Sequence, residues 1–349
     1  DRIKTTAYKT VLLFGVTGSG KTEVYMLCIE DALKQGKTAI MLVPEISLTP
    51  QTLRVFRSRF GDIVAMLHSG LSDGERFDEW RRIMCGEAKV VVGARSAIFA
   101  PLKDIGIIIV DEEHDASYVS ESNPRYITSN IAKFRAKYNG AKVVLGSATP
   151  SLDSYLLAKR GEYDLVSMQE RISGAMPPIE VVNMSQEFIG GNSGIFSECF
   201  KRELKNTVDR GEQAIIFLNR RGHSSFVMCR KCGYTAKCND CDVTLTYHSA
   251  ENVLKCHYCG KKYRMLDCCP ECGATDIKYG KVGTQRVVSE LAEIIPNVKV
   301  LRMDNETTAT KNSYLEILDE FASNQAQVLV GTQMIAKGHD FHNVTLVGI

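Results

Sequence analysis

Nine of the twelve cysteines fall between residues 229 and 272, and eight of these fall as four C-x-x-C pairs. The pairs are Cys229/Cys232, Cys238/Cys241, Cys256/Cys259 and Cys269/Cys272. Two residues between thiolates let both sulfurs of a tight turn face one ion. Four thiolates make a closed tetrahedral zinc site, so eight imply two zinc ions. Glycines follow three of the turns, as in Cys232-Gly233, Cys259-Gly260 and Cys272-Gly273. Spacing alone leaves open which pairs share an ion. A disulfide scaffold is the competing reading, but such scaffolds belong to small secreted domains. Cys268 adjoins a ligand pair without completing one and is expected to be a bystander. Cys28, Cys85 and Cys199 stand singly in helical patterns and are expected to be small buried apolar residues.

Composition sets few further bounds. Of 349 residues, 44% are hydrophobic and 24% charged, with a net charge of +2. A nucleic-acid partner must therefore be argued from local patches rather than total charge. No apolar run reaches the roughly 20 residues needed to span a bilayer. With no export signal, a cytoplasmic location is expected, without membrane association and as a monomer. The chain lacks an initial Met and stops on an apolar run, so both ends read as cuts within a longer protein.

Apolar runs at residues 11–14, 38–43, 63–67, 89–92, 105–110 and 142–145 read as buried strands. Helical patterns such as 23–34 and 73–85 lie between them. Ser72 and Glu75 form a capping-box pattern at the start of the second. This alternation implies a parallel sheet covered on both faces. Met176-Pro177-Pro178 reads as a linker, after which alternation resumes with strands at 214–218, 298–302, 327–330 and 344–347. Helices are expected at 196–210, 284–295 and 313–322, and a flexible loop at 185–194. The expected architecture is α/β, two lobes with parallel sheets. Lobe 1 is residues 1–176; lobe 2, truncated, is 177–221 and 280–349; the two-zinc module is inserted at 222–279.

The segment Gly15-Val16-Thr17-Gly18-Ser19-Gly20-Lys21-Thr22 matches G-x-x-x-x-G-K-[ST] between an apolar strand and a helix. Such a loop curls its N–H groups around phosphate oxygens at a helix N-terminus. Lys21 is expected to reach the β- and γ-phosphates of ATP, and Thr22 to ligate Mg²⁺. The strand at 105–110 ends in Asp111-Glu112-Glu113-His114. Acids at a parallel strand's C-terminal end lie where such folds bind ligands. Asp111 is suited to Mg²⁺ and Glu112 to polarising the attacking water.

Nucleic-acid contacts are expected from Arg95 and Ser96 after a strand end. They are also expected from Tyr118, Arg125 and Tyr126 in a mobile loop that can stack on unpaired bases, and from Arg220 and Arg221. Each has a plainer alternative: a surface ion pair, core tyrosines with a capping arginine, or a solvated turn.

The phosphate loop, the DEEH tetrapeptide and Gly146-Ser147-Ala148-Thr149-Pro150 together resemble superfamily 2 helicases, which implies that the two lobes are RecA-like P-loop lobes. Residues 42–48, Val92-Gly93-Ala94-Arg95-Ser96-Ala97, 217–223, the eight cysteines and 331–341 resemble one family within it, the bacterial primosomal replication-restart DNA helicases. The resemblance covers essentially the whole chain. It implies a 3′-to-5′ ATP-dependent helicase on forked and single-stranded DNA, working with primosome proteins and single-strand DNA-binding protein. It puts Cys229, Cys232, Cys269 and Cys272 on one zinc and the other four on the second. Gly338 and Asp340 resemble the nucleotide-coupling motif of lobe 2. The family's N-terminal DNA-binding region and its arginine-finger motif lie outside the sequence, implying weak ATP turnover. A zinc-stabilised docking scaffold and an RNA helicase are the rival readings.

Overall fold

The computed structural model describes residues 3, 10–44, 50–172, 177–192, 194–218, 227–229, 231–248, 251–279, 283–304, 307–308, 313–332, 335 and 341–349. The chain divides into two compact units, the first running to Pro177 and the second beginning at Pro178.

Unit 1 is built on a seven-stranded parallel sheet. Its strands are β1 (Thr10–Gly15), β2 (Thr38–Leu42), β3 (Val64–Leu67), β4 (Val90–Gly93), β5 (Ile105–Asp111), β6 (Lys142–Ser147) and β7 (Asp164–Met168). Their order is β3-β4-β2-β5-β6-β1-β7. The strands read as continuous apolar runs because both sheet faces are covered. Leu12, Ile40, Ile108 and Leu145 point into one core; Leu13, Met41, Ile109 and Val144 point into the other. That alternation is the period of two of a pleated strand. The helices are α1 (Lys21–Lys34), α2 (Pro50–Phe60), α3 (Asp73–Met84), α4 (Thr128–Asn139) and α5 (Leu152–Lys159). Helix α3 opens with the expected capping box: Ser72 accepts from the Glu75 N–H, and Glu75 accepts from the Ser72 N–H.

In unit 2, α6 (Met184–Ile189) and α7 (Glu198–Asp209) precede β8 (Gln213–Phe217). A small zinc-type module follows, with β9 (Val227–Cys229), β10 (Thr246–His248), β11 (Val253–Lys255), β12 (Lys262–Tyr263) and β13 (Ile277–Tyr279). Then come α8 (Thr284–Ile294), β14 (Val300–Met303), α9 (Ser313–Ala322), β15 (Val328–Gly331) and β16 (Val344–Gly348). A four-stranded parallel sheet, β14-β15-β8-β16, carries this unit. Leu204, Ala214, Val287 and Val330 form the core on one face, and Phe321, Leu329 and Met303 that on the other. The module closes β9 antiparallel on β13 and stacks β10-β11-β12 as a separate antiparallel sheet.

Several expectations are corrected. Residues 185–194 are not simply a loop: α6 covers the first part. Its end is held by Asn192, whose amide donates to Glu187 and to the Phe196 carbonyl. Strand β7 was not expected, because an edge position leaves its residues only half-buried and removes the apolar run. Cys85 is exposed at the end of α3, and Cys199 is half-buried with its thiol donating to Glu180; only Cys28 is the expected buried residue. No helix among the described residues is long and apolar enough to cross a membrane.

Candidate functional site

The β1–α1 bend is built from its glycines. Gly18 and Gly20 take left-handed φ values of 79° and 85°. A Cβ at Gly15 would stand 2.6 Å from the Ser19 hydroxyl oxygen. The loop thus closes to a radius that side chains would prevent. The Ser19 hydroxyl is buried inside it without a hydrogen-bond partner among the described residues. A buried hydroxyl left unpaired in a strand-to-helix bend is one that a polar ligand would satisfy. Lys21 folds over the loop, donating to the Gly15 carbonyl at 2.8 Å and the Val16 carbonyl at 3.4 Å. Thr22 is exposed beside it.

The acidic tetrapeptide leaves the end of β5 and is wired into its surroundings. Asp111 accepts from the Tyr25 hydroxyl at 2.8 Å. Burial, reinforced by the Glu112 charge, pushes the Asp111 carboxyl up to about 6, against the opposing pull of Tyr25 and Lys21. A carboxylate destabilised in this way is one that a cation would rescue. Glu112 takes a left-handed φ of 48°, an outlier of the kind that collects at functional sites. Glu113 accepts from the Ser151 N–H at 2.7 Å and from the Ser151 and Ser154 hydroxyls, holding the start of α5. His114 Nδ1 pairs with the Ser147 hydroxyl at 2.8 Å, and Ser147 in turn accepts from the Thr149 N–H. The DEEH and GSATP segments thus form one hydrogen-bonded surface.

The expected nucleic-acid residues sort differently. Arg95 donates to the Ser117 and Val119 carbonyls and lies over the Tyr126 ring, 5.7 Å from its centroid. Tyr126 meets Phe99 edge-on at 5.1 Å. Ser96 and Arg125 are exposed. Tyr118 is a correction. It is 3% exposed, and its hydroxyl donates to the Asp111 carbonyl, so it is a core residue here rather than a stacking platform. The loop from 115 to 126, expected to be mobile, is closed by the Val119–Ile127 bridge and by the Thr128 hydroxyl on the Tyr118 carbonyl. Arg220, Arg221, Gly338 and Asp340 lie outside the described residues.

The cysteines gather into two groups of four: Cys229, Cys232, Cys269 and Cys272; and Cys238, Cys241, Cys256 and Cys259. Within each group all four sulfurs lie within 4.8 Å of one another. Adjacent sulfurs approach to 3.6 Å for Cys229 and Cys272, 3.5 Å for Cys232 and Cys269, and 3.7 Å for Cys238 and Cys259. A zinc–sulfur length of about 2.3 Å places tetrahedral thiolates about 3.8 Å apart, so the residues fit zinc. The four turns share one backbone pattern. The N–H four residues after Cys229, Cys238, Cys256 and Cys269 donates to that cysteine's carbonyl. The donor has a left-handed φ each time: Gly233, Asp242, Gly260 and Gly273. Tyr263, which no spacing rule points to, bonds the Cys238 sulfur at 3.1 Å and accepts from the Asn239 N–H. That hydrogen bond, more than any other single influence, holds the Cys238 thiol low, at about 6. Cys268 is exposed and belongs to neither group.

Comparison with known proteins agrees with this geometry. The DEAD/DEAH box helicase family matches residues 2–156, and the PriA DNA helicase Cys-rich region matches residues 238–264. Among solved structures, a DUF1998 helicase MrfA bound to DNA superposes with a TM-score of 0.55 at 13% identity, covering 95% of this chain and 41% of that one. Mss116p bound to single-stranded RNA and AMP-PNP also gives 0.55 at 13% identity, covering 100% of this chain and 62% of that one. At that identity they speak for the fold alone. The chain therefore has the parallel-sheet α/β fold of the RecA-like helicases, with a cysteine-rich module beside it.

Within that class the chain belongs to the PriA family. It is 51% identical to the replication restart protein PriA of Bacillus subtilis, over 98% of this chain and 43% of that protein. It is 44% identical to that of Synechocystis, over 98% and 42%. For Rickettsia prowazekii the figures are 34%, 98% and 53%. The chain thus spans about half or less of the length of these relatives.

Proposed function

We propose that this chain is the ATP-driven motor core of a DNA helicase that acts at stalled or abandoned replication forks and restarts replication by primosome assembly. The observation that carries the reading is the wiring of DEEH. One acid reaches the phosphate-loop helix through Tyr25, while its neighbour His114 grips the GSATP segment and Glu113 the start of α5 just after it. A change at the phosphate site is thereby felt in both.

In this reading the backbone from Gly15 to Thr22 cradles the phosphates, and Lys21 swings from its own loop carbonyls onto the β- and γ-phosphates. Thr22 and Asp111 hold Mg²⁺, whose part is to offset phosphate charge. Glu112 orients the attacking water. Arg95, Ser96, Arg125 and Tyr126 line the single-strand path, Arg95 acting through the loop it grips. The two cysteine groups each hold one zinc as a structural cross-link. Residues 1–176 and the parts flanking 222–279 act as the two lobes. Travel is 3′ to 5′, the partners are primosome proteins and single-strand DNA-binding protein, and the protein is a cytoplasmic monomer. ATP turnover by this 349-residue polypeptide alone is expected to be weak, which a rate equal to that of a full-length relative would refute.

The test is ATP hydrolysis with and without forked DNA in the full-length protein, beside unwinding of matched DNA and RNA forks. DNA-stimulated hydrolysis lost in Lys21→Ala, with unwinding of the DNA fork, supports the motor. Hydrolysis indifferent to DNA favours a docking scaffold, and preference for the RNA fork an RNA helicase.

A further inference from the structure

Tyr25 lies one helical turn after Lys21, so the phenol and the amine share one face of α1. Its side chain is fully buried. A tyrosine buried to this degree must place its hydroxyl. The hydroxyl donates to Asp111 Oδ1 at 2.8 Å, across 86 residues of sequence. The third wall is Gly146, first residue of the GSATP segment: a Cβ there would overlap the phenolic oxygen, so the backbone of β6 closes directly on the Tyr25 ring. On the other side, the Asp111 carbonyl is fixed by the Tyr118 hydroxyl at 2.8 Å. One phenol thus sits where the phosphate-loop helix, the β5 acid and the β6 segment converge.

We propose that Tyr25 is a positioning residue for the metal ion. It occupies one carboxylate oxygen of Asp111, fixes the carboxylate's rotation about its side-chain bonds, and leaves Oδ2 as the oxygen presented to Mg²⁺. The inference rests on the reading of Asp111 as a magnesium ligand. It adds a residue that no phosphate-loop or acidic motif contains. The physical basis is general: a carboxylate ligand held by an outer hydrogen bond is preorganised, and losing such a bond costs metal affinity. Phenylalanine at position 25 keeps the ring that fills the space against Gly146 and removes only the hydroxyl.

The test uses Mn²⁺ as the probe, titrated by electron paramagnetic resonance into the 349-residue protein with saturating ADP. Tyr25→Phe should weaken Mn²⁺ binding about 10-fold. Affinity for a fluorescent ADP in EDTA, and the melting temperature, should stay close to wild type. Introduced into an Asp111→Asn background, Tyr25→Phe should change Mn²⁺ binding no further, because the two act as one unit. Unchanged Mn²⁺ affinity in Tyr25→Phe overturns the proposal. So does an equal loss in the EDTA arm, which would mark a general packing defect, or an additive loss in the double variant. A wild-type protein that binds ADP but shows no Mn²⁺ dependence, or no effect of Asp111→Asn, would instead remove the underlying reading of Asp111.

Discussion

Asp111 is the residue whose charge the fold tolerates least. Its carboxyl is pushed up to about 6, first by burial and then by Glu112. The sign follows directly. The native state holds this proton more tightly than the unfolded chain does, so ionising Asp111 destabilises the fold. That cost is absent below the ordinary aspartate range near 4, grows between about 4 and 6, and is fully present above 6. Without nucleotide or metal, Asp111→Asn should therefore raise the melting temperature at pH 7.5, by a stability gain of about 3 kcal/mol, and by only about 0.5 kcal/mol at pH 4. Thermal unfolding of both proteins across that range checks it. An equal gain at both pH values would mean that the charge is not the cause. The place of Asp111 at the end of β5 was legible from sequence because the apolar run stops there on acids. Tyr25 was not: within α1 it reads as one more core position, and its partner lies on another strand. Tyr118 failed for the converse reason. An aromatic beside an arginine in a loop fits a stacking platform, and only its packing under Asp111 shows otherwise.

At the scale of elements, local rules worked where the chain folds on itself. The capping box at Ser72 and Glu75 is formed as spaced. Ser72→Ala should cost about 1 kcal/mol. In a unit of this size that is a fall of about 2–4 °C in melting temperature, with nucleotide binding unchanged. The zinc turns were legible because each is a closed backbone motif, Cys-x-x-Cys plus one left-handed residue. Which turns share an ion was not, because that depends on how β9 meets β13 and how β10, β11 and β12 stack. Cys238→Ser should lower bound zinc by about one equivalent and loosen the module, since such sites contribute about 10–16 kcal/mol of apparent binding. Cys268→Ser should leave zinc content unchanged. Metal analysis of the two variants beside wild type decides; equal losses in both would dismantle the grouping. Strand β7 and helix α6 escaped the sequence reading for want of a strong pattern. One is an edge strand without an apolar run, and the other is six residues whose ends are tied by Asn192 and Glu187.

For the whole molecule, the parallel sheets were readable because both faces of each must be covered, and doubly buried strands leave long apolar runs. The shape of the candidate nucleotide site was readable for a related reason: its loop, its acid and its GSATP segment each end a strand of one sheet. What the sequence could not supply is which side chains link the candidate phosphate loop to the rest of the unit. In unit 1 the visible route runs through side chains: Lys21 and Tyr25 on α1, Asp111 and Tyr118 around β5, and the loop gripped by Arg95. If that route is the coupling device, nucleotide state must alter the grip on DNA. The direct measurement is fluorescence anisotropy of a labelled single strand at one fixed salt concentration, with no nucleotide, with Mg·AMP-PNP and with Mg·ADP. At least one nucleotide state should shift the DNA affinity about 5-fold or more, with the shift abolished in Lys21→Ala. The same affinity in all three states would contradict a nucleotide-driven motor.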